Sequence, residues 1–418
     1  MKVVYVVSLF PCWSETFIVR EINELIGSGI DVQIVSLKHP SESMVQTDAK
    51  PLLGRVIYPS PWTTGSVRAL VEIVSRPVLS MQELARITVG LAAEPAKLAK
   101  SVVTWWRALG LAPVLRRLEP NRLHAHWATY PTTAAQILSP RIGLPFSFTC
   151  HAHDIFVENH FVRSKLEQAQ FAVTISRFNI AFLRERVGPV AEQKLRVIHC
   201  GVVPDGIAYV PADDPSREEG LIVSVGRLDD IKGFEVLIDA CQALASQGLS
   251  YRCVIVGEGP LRTSLQARLD AAGLNERVSM PGARPAEAVR ALLAKAQVFV
   301  LPSRVTRAGD RDGIPVALME AMASGAPAVS TRVSGIPELI ESGEHGILVD
   351  ADDATGLSQA IATQLTQRGQ AERMATAARR RIEQGFDVAI ETARLRAAFL
   401  DTHDTSAVPS VASGRGSA

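Results

Sequence analysis

The segment DGIPVALMEAMASGAPAVST, from Asp312 to Thr331, decides the fold of its half of the chain. The middle of this segment is almost entirely apolar. The run QVFVLPS precedes the segment and the run APAVST forms its end, and both read as buried strands. Pro315 suits the first turn of a helix, where its missing N–H would have no partner, and Gly325 suits the exit. We therefore predict a strand, a helix that begins just after Gly313, and a second strand.

Two carboxylates, Asp312 and Glu320, flank this predicted helix start. Free N–H groups at Gly313 and Ile314, with the positive end of the helix dipole, predict a site for a phosphate or sugar oxygen. Glu320 lies about one and a half turns into an apolar helix, where a carboxylate needs a partner such as a ribose hydroxyl. The alternative is that Asp312 caps the helix and Glu320 pairs with a neighbouring cation.

The pattern around this segment predicts two doubly wound α/β halves. The first, residues 1–203, opens with the strand KVVYVVSLF, the helix TFIVREINELIGSG and the strand DVQIVSL. Its later apolar runs end in polar residues, which indicates a parallel sheet whose carboxyl edge carries His126, His151, Asp154 and Ser176. The Pro- and Asp-rich stretch VPADDPSREEG leads into the second half, residues 204–385. We expect the strand ends of the halves to face each other across a cleft.

Three segments fall outside this α/β rhythm. Residues from about 60 to 120 read as a helical insertion. Trp105, Trp106, Arg107, Arg116 and Arg117 within it form either an amphipathic membrane-facing surface or a helical hairpin packed on the sheet. Residues 386–401 read as a last helix that packs on one of the two halves, and we expect the polar tail 402–418 to be disordered.

Composition excludes several classes of protein. The 418 residues carry 44 Lys and Arg against 43 Asp and Glu, so no global basic field for nucleic acid exists. The five cysteines form no CxxC pair, which favours buried free thiols in a reducing compartment. The first residues read as a strand, not a signal peptide, and no apolar run is long enough to span a membrane. We expect a cytoplasmic protein.

A second anion-binding stretch is VGRLDDIKG. Arg227 and Lys232 follow the strand LIVSVG at its carboxyl end, where anions bind in open α/β sheets, and together they could neutralise a diphosphate. The turn VGEGP, which contains Gly257 and Glu258, follows another strand. Neither a complete dinucleotide-binding fingerprint nor a P-loop is present, which argues against redox chemistry and phosphate hydrolysis.

The histidines of the first half form a third cluster. CHAHDIF places His151, His153 and Asp154 at the end of a strand, a pattern compatible with a metal or with an imidazole that bonds a substrate hydroxyl. We favour the metal-free role, because no further ligand cluster stands nearby at helical spacing. His124 and His126 alternate on a strand, so we expect one to face the cleft and the other to face the core, and we expect a structural role for His126.

Together these stretches resemble the family 4 glycosyltransferases, which have the two-domain GT-B architecture. The resemblance rests on SETFIVREINEL, FSFTCHAHDIF, AVTISRFN, VGRLDDIKGFEVLI, VIVGEGP, FVLPS and GDRDGIPVALMEAMASGAPAVST, in the family's order and over nearly the whole chain. SETF near the N-terminus combined with DGIP is similar to the branch that builds exopolysaccharides, such as colanic-acid-type transferases.

The resemblance implies retaining transfer of a sugar from a nucleotide diphosphate donor, and it assigns roles. His151 meets the donor sugar, and Arg227 and Lys232 hold the diphosphate. Asp312 and Glu320 occupy the family's Glu-x7-Glu positions, the first addressing the sugar and the second the ribose. Asp312 departs from that pattern by one methylene, which affects its reach. The donor-binding set also includes Gly226, Gly257, Glu258, Gly282, Ala283, Arg284, Gly313, Ile314 and Pro315.

The same resemblance implies partners. We expect a UDP- or GDP-sugar as co-substrate, with no other cofactor and no metal, because Arg227 and Lys232 can replace a divalent ion. The acceptor is expected to be a saccharide linked to polyprenyl diphosphate at the inner face of the cytoplasmic membrane. Acceptor-side candidates are Ser14, Glu15, Thr16, His126 and Asp154. The alternatives are a sugar-nucleotide epimerase on the same fold and a sugar-nucleotide-binding scaffold without activity.

Overall fold

The chain folds into two compact units, which are defined by a computed structural model that describes residues 1–12, 15–40, 45–60 and 62–401. Among the described residues, the N-terminal unit comprises 1–174, 180–198 and 392–401. The C-terminal unit comprises residues 175–179 and 199–391. The tail 402–418, for which disorder is predicted, lies outside the described residues.

The N-terminal unit is built on a seven-stranded parallel sheet with the order β3-β2-β1-β4-β5-β6-β7. Its strands are β1 (Lys2–Val7), β2 (Asp31–Ser36), β3 (Val56–Ile57), β4 (Arg122–His126), β5 (Phe146–Cys150), β6 (Ala172–Thr174) and β7 (Leu195–Val197). The helices up to residue 198 are α1 (Thr16–Gly27), α2 (Trp62–Ser75), α3 (Pro77–Gly90), α4 (Pro95–Leu118), α5 (Tyr130–Ile142), α6 (His153–Phe156), α7 (Val162–Gln168), α8 (Arg177–Val187) and α9 (Val190–Lys194).

Continuous apolar runs explain why this sheet is parallel and buried on both faces. Residues 3–7 of β1 are all buried, as is every residue of β4 and β5. A sheet with one face in water would alternate polar and apolar residues instead. Helix α1 shows the complementary pattern, since Ile18, Ile22 and Leu25 share one buried face at helical spacing.

The C-terminal unit is built on a six-stranded parallel sheet with the order β10-β9-β8-β11-β12-β13. Its strands are β8 (Leu221–Val225), β9 (Arg252–Val256), β10 (Val278–Gly282), β11 (Val298–Leu301), β12 (Ala328–Thr331) and β13 (Ile347–Val349). The remaining helices of the chain are α10 (Phe234–Ser246), α11 (Arg262–Ala272), α12 (Ala286–Lys295), α13 (Val316–Ala323), α14 (Ile336–Leu339), α15 (Ala354–Thr366), α16 (Arg368–Gly385) and α17 (Val388–Leu400). Fully buried apolar residues, among them Leu237, Phe299 and Leu318, form its core.

Each sheet has one point where the strand order reverses. In the N-terminal unit it lies between β1 and β4, and in the C-terminal unit it lies between β8 and β11. The chains that leave two such strands turn to opposite sides, which opens a crevice outside their carboxyl ends, and ligands of open α/β sheets bind there. The topology therefore directs attention to the residues that follow β1 and β4, and to those that follow β8 and β11.

The last helix completes the core of the N-terminal unit. Leu395, Ala398 and Phe399 of α17 are buried in the same cluster as the apolar residues of β1 and β2. The Phe399 ring lies 5.2 Å from the His124 ring and 6.0 Å from the Phe171 ring. These contacts place the C-terminal turns of α17 with the N-terminal unit, although residues 199–391 before them belong to the C-terminal unit.

The insertion is helical, and its long helix α4 packs against the interior. Trp105 is only 5% exposed, and its Nε1 donates to Glu83 Oε2 at 2.8 Å. Arg116 NH2 donates to Glu72 Oε2 at 2.8 Å. Of the two alternatives for Trp105–Arg117, the structure favours packing, because the tryptophan and the arginine are engaged by partners on α2 and α3.

The predicted fold class, two doubly wound α/β halves with parallel sheets, is confirmed. Among the described residues, no helix combines the length and the apolar character needed to cross a bilayer.

Candidate active site

The reversal point of the C-terminal sheet brings the predicted phosphate-binding residues together. Lys232 follows β8, and its Nζ donates to Asp312 Oδ1 at 2.6 Å. Ser303 follows β11, and its Oγ donates to Asp312 Oδ2 at 2.5 Å. Both oxygens of the Asp312 carboxylate are therefore held, and the carboxylate joins the ends of the two strands.

The two cations of this site differ in exposure. The Lys232 and Asp312 side chains are 15% and 10% exposed, whereas the Arg227 side chain is 71% exposed. An ammonium group has three N–H donors, so Lys232 can bind Asp312 and an anion at the same time. Arg227 offers a planar donor fork that suits a phosphate. The pair is thus suited to a diphosphate, as the sequence predicts.

The glycine turn VGEGP serves the packing of the strand ends. Gly257 has φ +153°, and a Cβ on it would lie 1.8 Å from the carbonyl oxygen of Gly226. The Gly226 N–H donates to Val256 O at 3.0 Å. Only a residue without a side chain allows this approach, so Gly257 fixes the backbone that leads into Arg227.

The loop after β10 reaches the same edge of the sheet. The N–H of Gly257 donates to the Gly282 carbonyl at 3.1 Å, and Ala283 and Arg284 after it are exposed. The Glu258 side chain is half-exposed, and its Oε1 accepts from Arg262 NH1 at 3.0 Å. The structure therefore brings Gly226, Gly257, Glu258 and Gly282 together, with backbone and exposed side chains at a surface.

The predicted start of helix α13 needs a correction. The helix begins at Val316, and Pro315 is its N-cap with φ −68° and ψ 126°. Proline fixes only φ, so it tolerates the extended ψ of a cap as well as a first helical turn. Gly313 and Ile314 therefore precede the helix, and the N–H groups of Val316 and Ala317 are those that lack partners inside it. The exit is as predicted, with Gly325 at φ +78°.

Glu320 lies on the one accessible face of α13. Every other residue from Leu318 to Ala323 is buried, whereas Val316, Ala317 and Glu320 are partly exposed. Residues at i and i+4 share a helix face. Glu320 is therefore on the same side as the helix N-terminus, which is the position expected of a ribose-binding carboxylate.

Asp229 is a member of this cluster that sequence reasoning missed. Its Oδ2 lies 3.8 Å from Arg227 Nε, and its Oδ1 is buried without a hydrogen-bond partner in the described part of the chain. Burial raises the pKa of Asp229 to about 6, against the opposing effect of Lys232. In the sequence it is one of two adjacent aspartates in a charged turn, and nothing there distinguishes it from Asp230.

The reversal point of the N-terminal sheet carries a histidine pair. His126 Nδ1 and His151 Nε2 are 3.2 Å apart, and His126 Nε2 lies 2.9 Å from Glu21 Oε1. The Tyr5 hydroxyl donates to the same Glu21 oxygen at 2.7 Å. Because a carboxylate oxygen can only accept a hydrogen bond, His126 Nε2 is the donor to Glu21 and carries a proton. Glu21, which looks like an ordinary surface residue of α1 in the sequence, therefore orients His126 and through it His151.

Burial governs the protonation of this network. It lowers the pKa of His151 well below its usual value, and the electrostatic influence of the neighbouring His126 acts in the same direction. Burial opposes the ionisation of Glu21, but the neighbouring His126 and the hydrogen bonds with His126 and Tyr5 outweigh it, so the pKa of Glu21 is lowered. Around neutral pH, His151 is therefore an uncharged imidazole and Glu21 an anion.

The expectation that His124 and His126 face opposite ways is wrong. Residues two apart on a strand point to the same side, and the two rings lie 5.4 Å apart. Both ring nitrogens of His124 are engaged, by Ser147 Oγ at 2.9 Å and Thr149 Oγ1 at 3.0 Å. Glu21, His124 and His126 come close enough to hold a metal, but an ion would have to displace these hydroxyls. The cluster fits a hydrogen-bond network better than a metal centre.

Two acceptor-side candidates are buried structural residues. Asp154 is fully buried, and its carboxylate accepts from the N–H groups of Ala128, His151 and Ala152 at 2.7 to 3.0 Å. It thereby fixes the loop that carries His151 and has no surface for an acceptor. His126 is 1% exposed and acts only through its neighbours.

The remaining candidates lie at the start of α1. Thr16 is its first residue, Glu15 Oε1 accepts from Trp127 Nε1 at 3.0 Å, and Ser14 lies outside the described residues. Trp127, like Asp229 and Glu21, is a residue that the sequence did not reveal. Its backbone has φ +77°, an uncommon conformation for a non-glycine residue, and its ring lies 4.6 Å from that of His151.

Two family models match the chain. One, described as Glycosyltransferase Family 4, covers residues 14–205, and the other, described as Glycosyl transferases group 1, covers residues 211–381. Among individual proteins, WcaL of Escherichia coli K12, named as a colanic acid biosynthesis glycosyltransferase, is 32% identical over 87% of this chain and 90% of its own. AmsK of Erwinia amylovora, an amylovoran biosynthesis glycosyltransferase, is 29% identical over 93% and 96%.

Solved structures share the fold. The Anabaena protein HepE, crystallised with UDP and glucose, superposes with a TM-score of 0.69 at 18% identity over 96% of this chain and 99% of its own. Sucrose-phosphate synthase from Thermosynechococcus elongatus gives 0.71 at 19% identity over the same shares. With matches that span both units and a relative aligned along nine-tenths of its length, the chain belongs to the family 4 glycosyltransferases and has their GT-B fold.

Proposed function

We propose that the protein transfers a sugar from a nucleotide diphosphate donor to a saccharide acceptor in the synthesis of an exopolysaccharide or related surface glycan. The observation that carries the proposal is the cluster of Lys232, Asp312 and Ser303 beside Arg227, at the strand ends where an open α/β sheet binds its ligand. The relatives named for colanic acid and amylovoran biosynthesis support the choice of product class.

The chemistry of the leaving group explains the residues. When the glycosidic bond to the donor breaks, negative charge develops on the diphosphate oxygens. Lys232, Arg227 and the N-terminus of α13 provide positive charge and N–H dipoles that are already in place. Such preorganised electrostatic stabilisation is usually the largest single contribution to lowering the barrier of an enzymatic reaction. Glu320 is proposed to hold the ribose hydroxyls.

The same cations make a metal unnecessary in this proposal. Lys232 and Arg227 supply the charge that a divalent ion would otherwise bring to a diphosphate. We expect activity to persist when EDTA is present.

The stereochemistry is proposed to be retaining. Asp312 is held through both oxygens by Lys232 and Ser303, so it is poorly disposed to act as a carboxylate nucleophile on the sugar. We propose attack on the same face as the departing diphosphate, with a donor phosphate oxygen accepting the acceptor's proton. The uncharged His151 is proposed to bond a hydroxyl of the donor sugar.

Donor base and acceptor are the finer parts of the proposal. We propose a UDP- or GDP-sugar as donor, and HepE, which binds UDP, supports testing UDP first. The acceptor is proposed to be a saccharide on polyprenyl diphosphate at the cytoplasmic face of the membrane.

Product analysis tests the proposal. The full chain would be incubated with UDP- and GDP-sugars, with and without a membrane extract that supplies lipid-linked acceptors, and with EDTA in a parallel series. We expect nucleotide release that depends on the acceptor, and a product whose anomeric configuration, read by NMR, matches the donor. An altered free sugar from donor alone would indicate an epimerase. Binding without release would indicate a scaffold without activity.

A further inference from the structure

The most exposed apolar side chains of the protein are concentrated in one place. Among the described residues, every large apolar side chain that is more than half exposed lies between Trp62 and Val89, on helices α2 and α3. They are Trp62, Val67, Leu70, Val71, Val74, Val78, Met81 and Val89, with exposures from 52% to 79%. Soluble monomers rarely expose a contiguous apolar patch of this kind, so the patch indicates an interaction surface.

The inner sides of the same helices bury polar groups. Glu72 of α2 and Ser80 and Glu83 of α3 are buried, beside the apolar Ala69 and Ile87. Arg141, which is itself buried, donates from NH2 to Glu83 Oε2 at 2.6 Å and to Ser80 Oγ at 3.0 Å. A helix at a water-facing surface normally turns its charged side chains outward and its large apolar side chains inward. Here both carboxylates are buried and most of the large apolar side chains are exposed.

The two helices present one common outer surface. Glu72 of α2 lies 3.8 Å from Arg141 NH1, and α3 reaches the same arginine through Glu83. Because both inner faces point at one side chain, the opposite faces point outward on the same side. We call this surface the apolar face, defined by Val67, Leu70, Val71 and Val74 of α2 and by Val78 and Met81 of α3.

The exposed charge within the segment that carries the apolar face is positive. Across residues 62–90, all of which are described, Arg76 is the only charged residue among the exposed positions. Lys100 is exposed near the start of α4, and the exposed acid of that turn, Glu94, is paired with Lys97. Glu72 and Glu83 are buried and paired with arginines. A negatively charged partner would therefore meet no unpaired carboxylate from this segment.

We propose that the apolar face docks onto a lipid bilayer that carries anionic headgroups. A helix with one apolar side and basic residues at its margin lies in the plane of the membrane interface. Trp62, the first residue of α2, is 61% exposed, and tryptophan is enriched at the headgroup level of membranes. The proposal is independent of the transfer reaction, since it concerns residues outside the donor site.

A bilayer fits the apolar face better than a protein partner does. Protein interfaces contain about one hydrogen bond for every 100 to 200 Å². The six side chains that define the apolar face have no hydrogen-bonding group at all. The hydrocarbon layer of a bilayer requires no hydrogen bonds from the side chains that enter it.

Vesicle flotation tests the proposal. The full chain would be mixed with vesicles of phosphatidylcholine alone and of phosphatidylcholine with phosphatidylglycerol, and the bound fraction would be measured at low and high salt. The test variant is Val67→Gln/Val74→Gln/Met81→Gln, in which glutamine preserves helix propensity. Its matched control is Val203→Gln/Val305→Gln, at two other partly exposed valines.

We expect the wild type to float with both vesicle types, more strongly with phosphatidylglycerol and less so at high salt. The triple variant should bind at least about tenfold more weakly because three apolar contacts are lost, while the control binds like the wild type. Nucleotide binding by the C-terminal unit should stay unchanged in all variants, which separates a failure here from a failure of the proposed function.

Either of two results would overturn the proposal. The wild type does not bind vesicles of either composition, or the triple variant binds them as well as the wild type does. If the wild type does not bind vesicles but forms a dimer in light scattering, while the triple variant is monomeric, the apolar face is instead a contact between copies of the chain.

Discussion

Asp312 is the residue at which the sequence predicts a departure from the family's pattern, and its contacts suggest a reason. Its two carboxylate oxygens are engaged by Lys232 and Ser303, one on each of the neighbouring strand ends. A shorter side chain keeps the carboxylate close to these partners. Its proposed role therefore includes positioning Lys232 as well as any contact with the sugar.

Replacing the ammonium tests this role. We expect Lys232→Met to lower transfer by about 10²- to 10³-fold, because it removes a positioned cation from the leaving group. The measurement is the rate of nucleotide release with donor and acceptor. Lys295→Met, on an exposed lysine of α12, should have no effect. Equal losses in both variants would contradict the assignment.

The buried histidines predict how stability depends on pH. Burial lowers the pKa of His160 to about 3 and lowers the pKa values of His124 and His151 well below 6.5. Below about pH 6.5 the unfolded chain binds these protons and the folded chain does not. The free energy of unfolding therefore decreases as the pH is lowered. Each histidine contributes up to about 1.4 kcal/mol per pH unit.

Urea unfolding at several pH values measures this dependence. The four described tryptophans lie in the N-terminal unit and the fifth, Trp13, precedes them in the sequence, so tryptophan fluorescence reports that unit. The two ring nitrogens of His160 are buried without partners among the described residues. We therefore expect His160→Phe to fold and to flatten the slope between pH 6.5 and 5.5 by about 1 kcal/mol per unit, because the unfolded histidine is only half protonated at the upper end of this range. An unchanged slope would show that His160 does not titrate in this way.

At the residue scale, the sequence predicts residue types at strand ends better than it predicts their partners. Lys232 and Asp312 are 80 positions apart and meet only in the fold. Glu21 was missed because it reads as a surface position of α1, although it lies against His126, 105 positions away. Such pairs depend on the sheet order, which local patterns do not specify.

Helices and strands were predicted more reliably than their ends and faces. Helix α13 exists as predicted, but it begins at Val316 because Pro315 takes a cap conformation. The sequence shows that α2 and α3 are rich in apolar residues, but it does not predict that these residues face outward. That direction is set by Arg141, which lies on α5 and binds Glu83 and Ser80.

The turn after β9 offers a test at this scale. Gly257→Ala would place a Cβ 1.8 Å from the Gly226 oxygen, so the strand end that carries Arg227 must move. We expect nucleotide binding to weaken by at least about tenfold, since misplacing a charged hydrogen bond costs 1.5 to 3 kcal/mol. Calorimetric titration with UDP and GDP measures it.

Gly248→Ala is the matched control for backbone strain. Gly248 also has a positive φ, +75°, but a Cβ there meets nothing within 4 Å. It should cost about 1 kcal/mol of stability and leave nucleotide affinity unchanged. Equal affinities in the two variants would contradict a role for Gly257 in shaping the site.

At the scale of the whole molecule, the chain returns to its first unit at the end. The segment from Thr392 to Asp401 belongs with the N-terminal unit, where Leu395 and Phe399 are buried. The sequence predicted the helix but left its packing open, because an apolar helix face does not specify which core receives it. The family resemblance, by contrast, extends over both units and was confirmed by two family models.

A single substitution tests this return. Phe399→Ala should destabilise the N-terminal unit by about 3 to 5 kcal/mol, because it leaves a cavity beside His124 and Phe171. Urea unfolding followed by tryptophan fluorescence reports the loss. Ile390→Ala, on the same helix but 36% exposed, should change little. If both variants unfold like the wild type, α17 does not complete this core.

The most direct test of the donor site is thermal unfolding of the wild type, Glu320→Ala and Glu276→Ala with UDP, GDP and ADP in turn. Glu276 is an exposed carboxylate just before β10, at the opposite edge of the sheet from the proposed site. A nucleotide at a hundred times its dissociation constant should add about 2.7 kcal/mol of stability. We predict that one nucleotide stabilises the wild type and Glu276→Ala but not Glu320→Ala. No stabilisation of folded wild type by any of the three, or equal stabilisation of Glu320→Ala, would contradict the assignment of the donor site to this cluster.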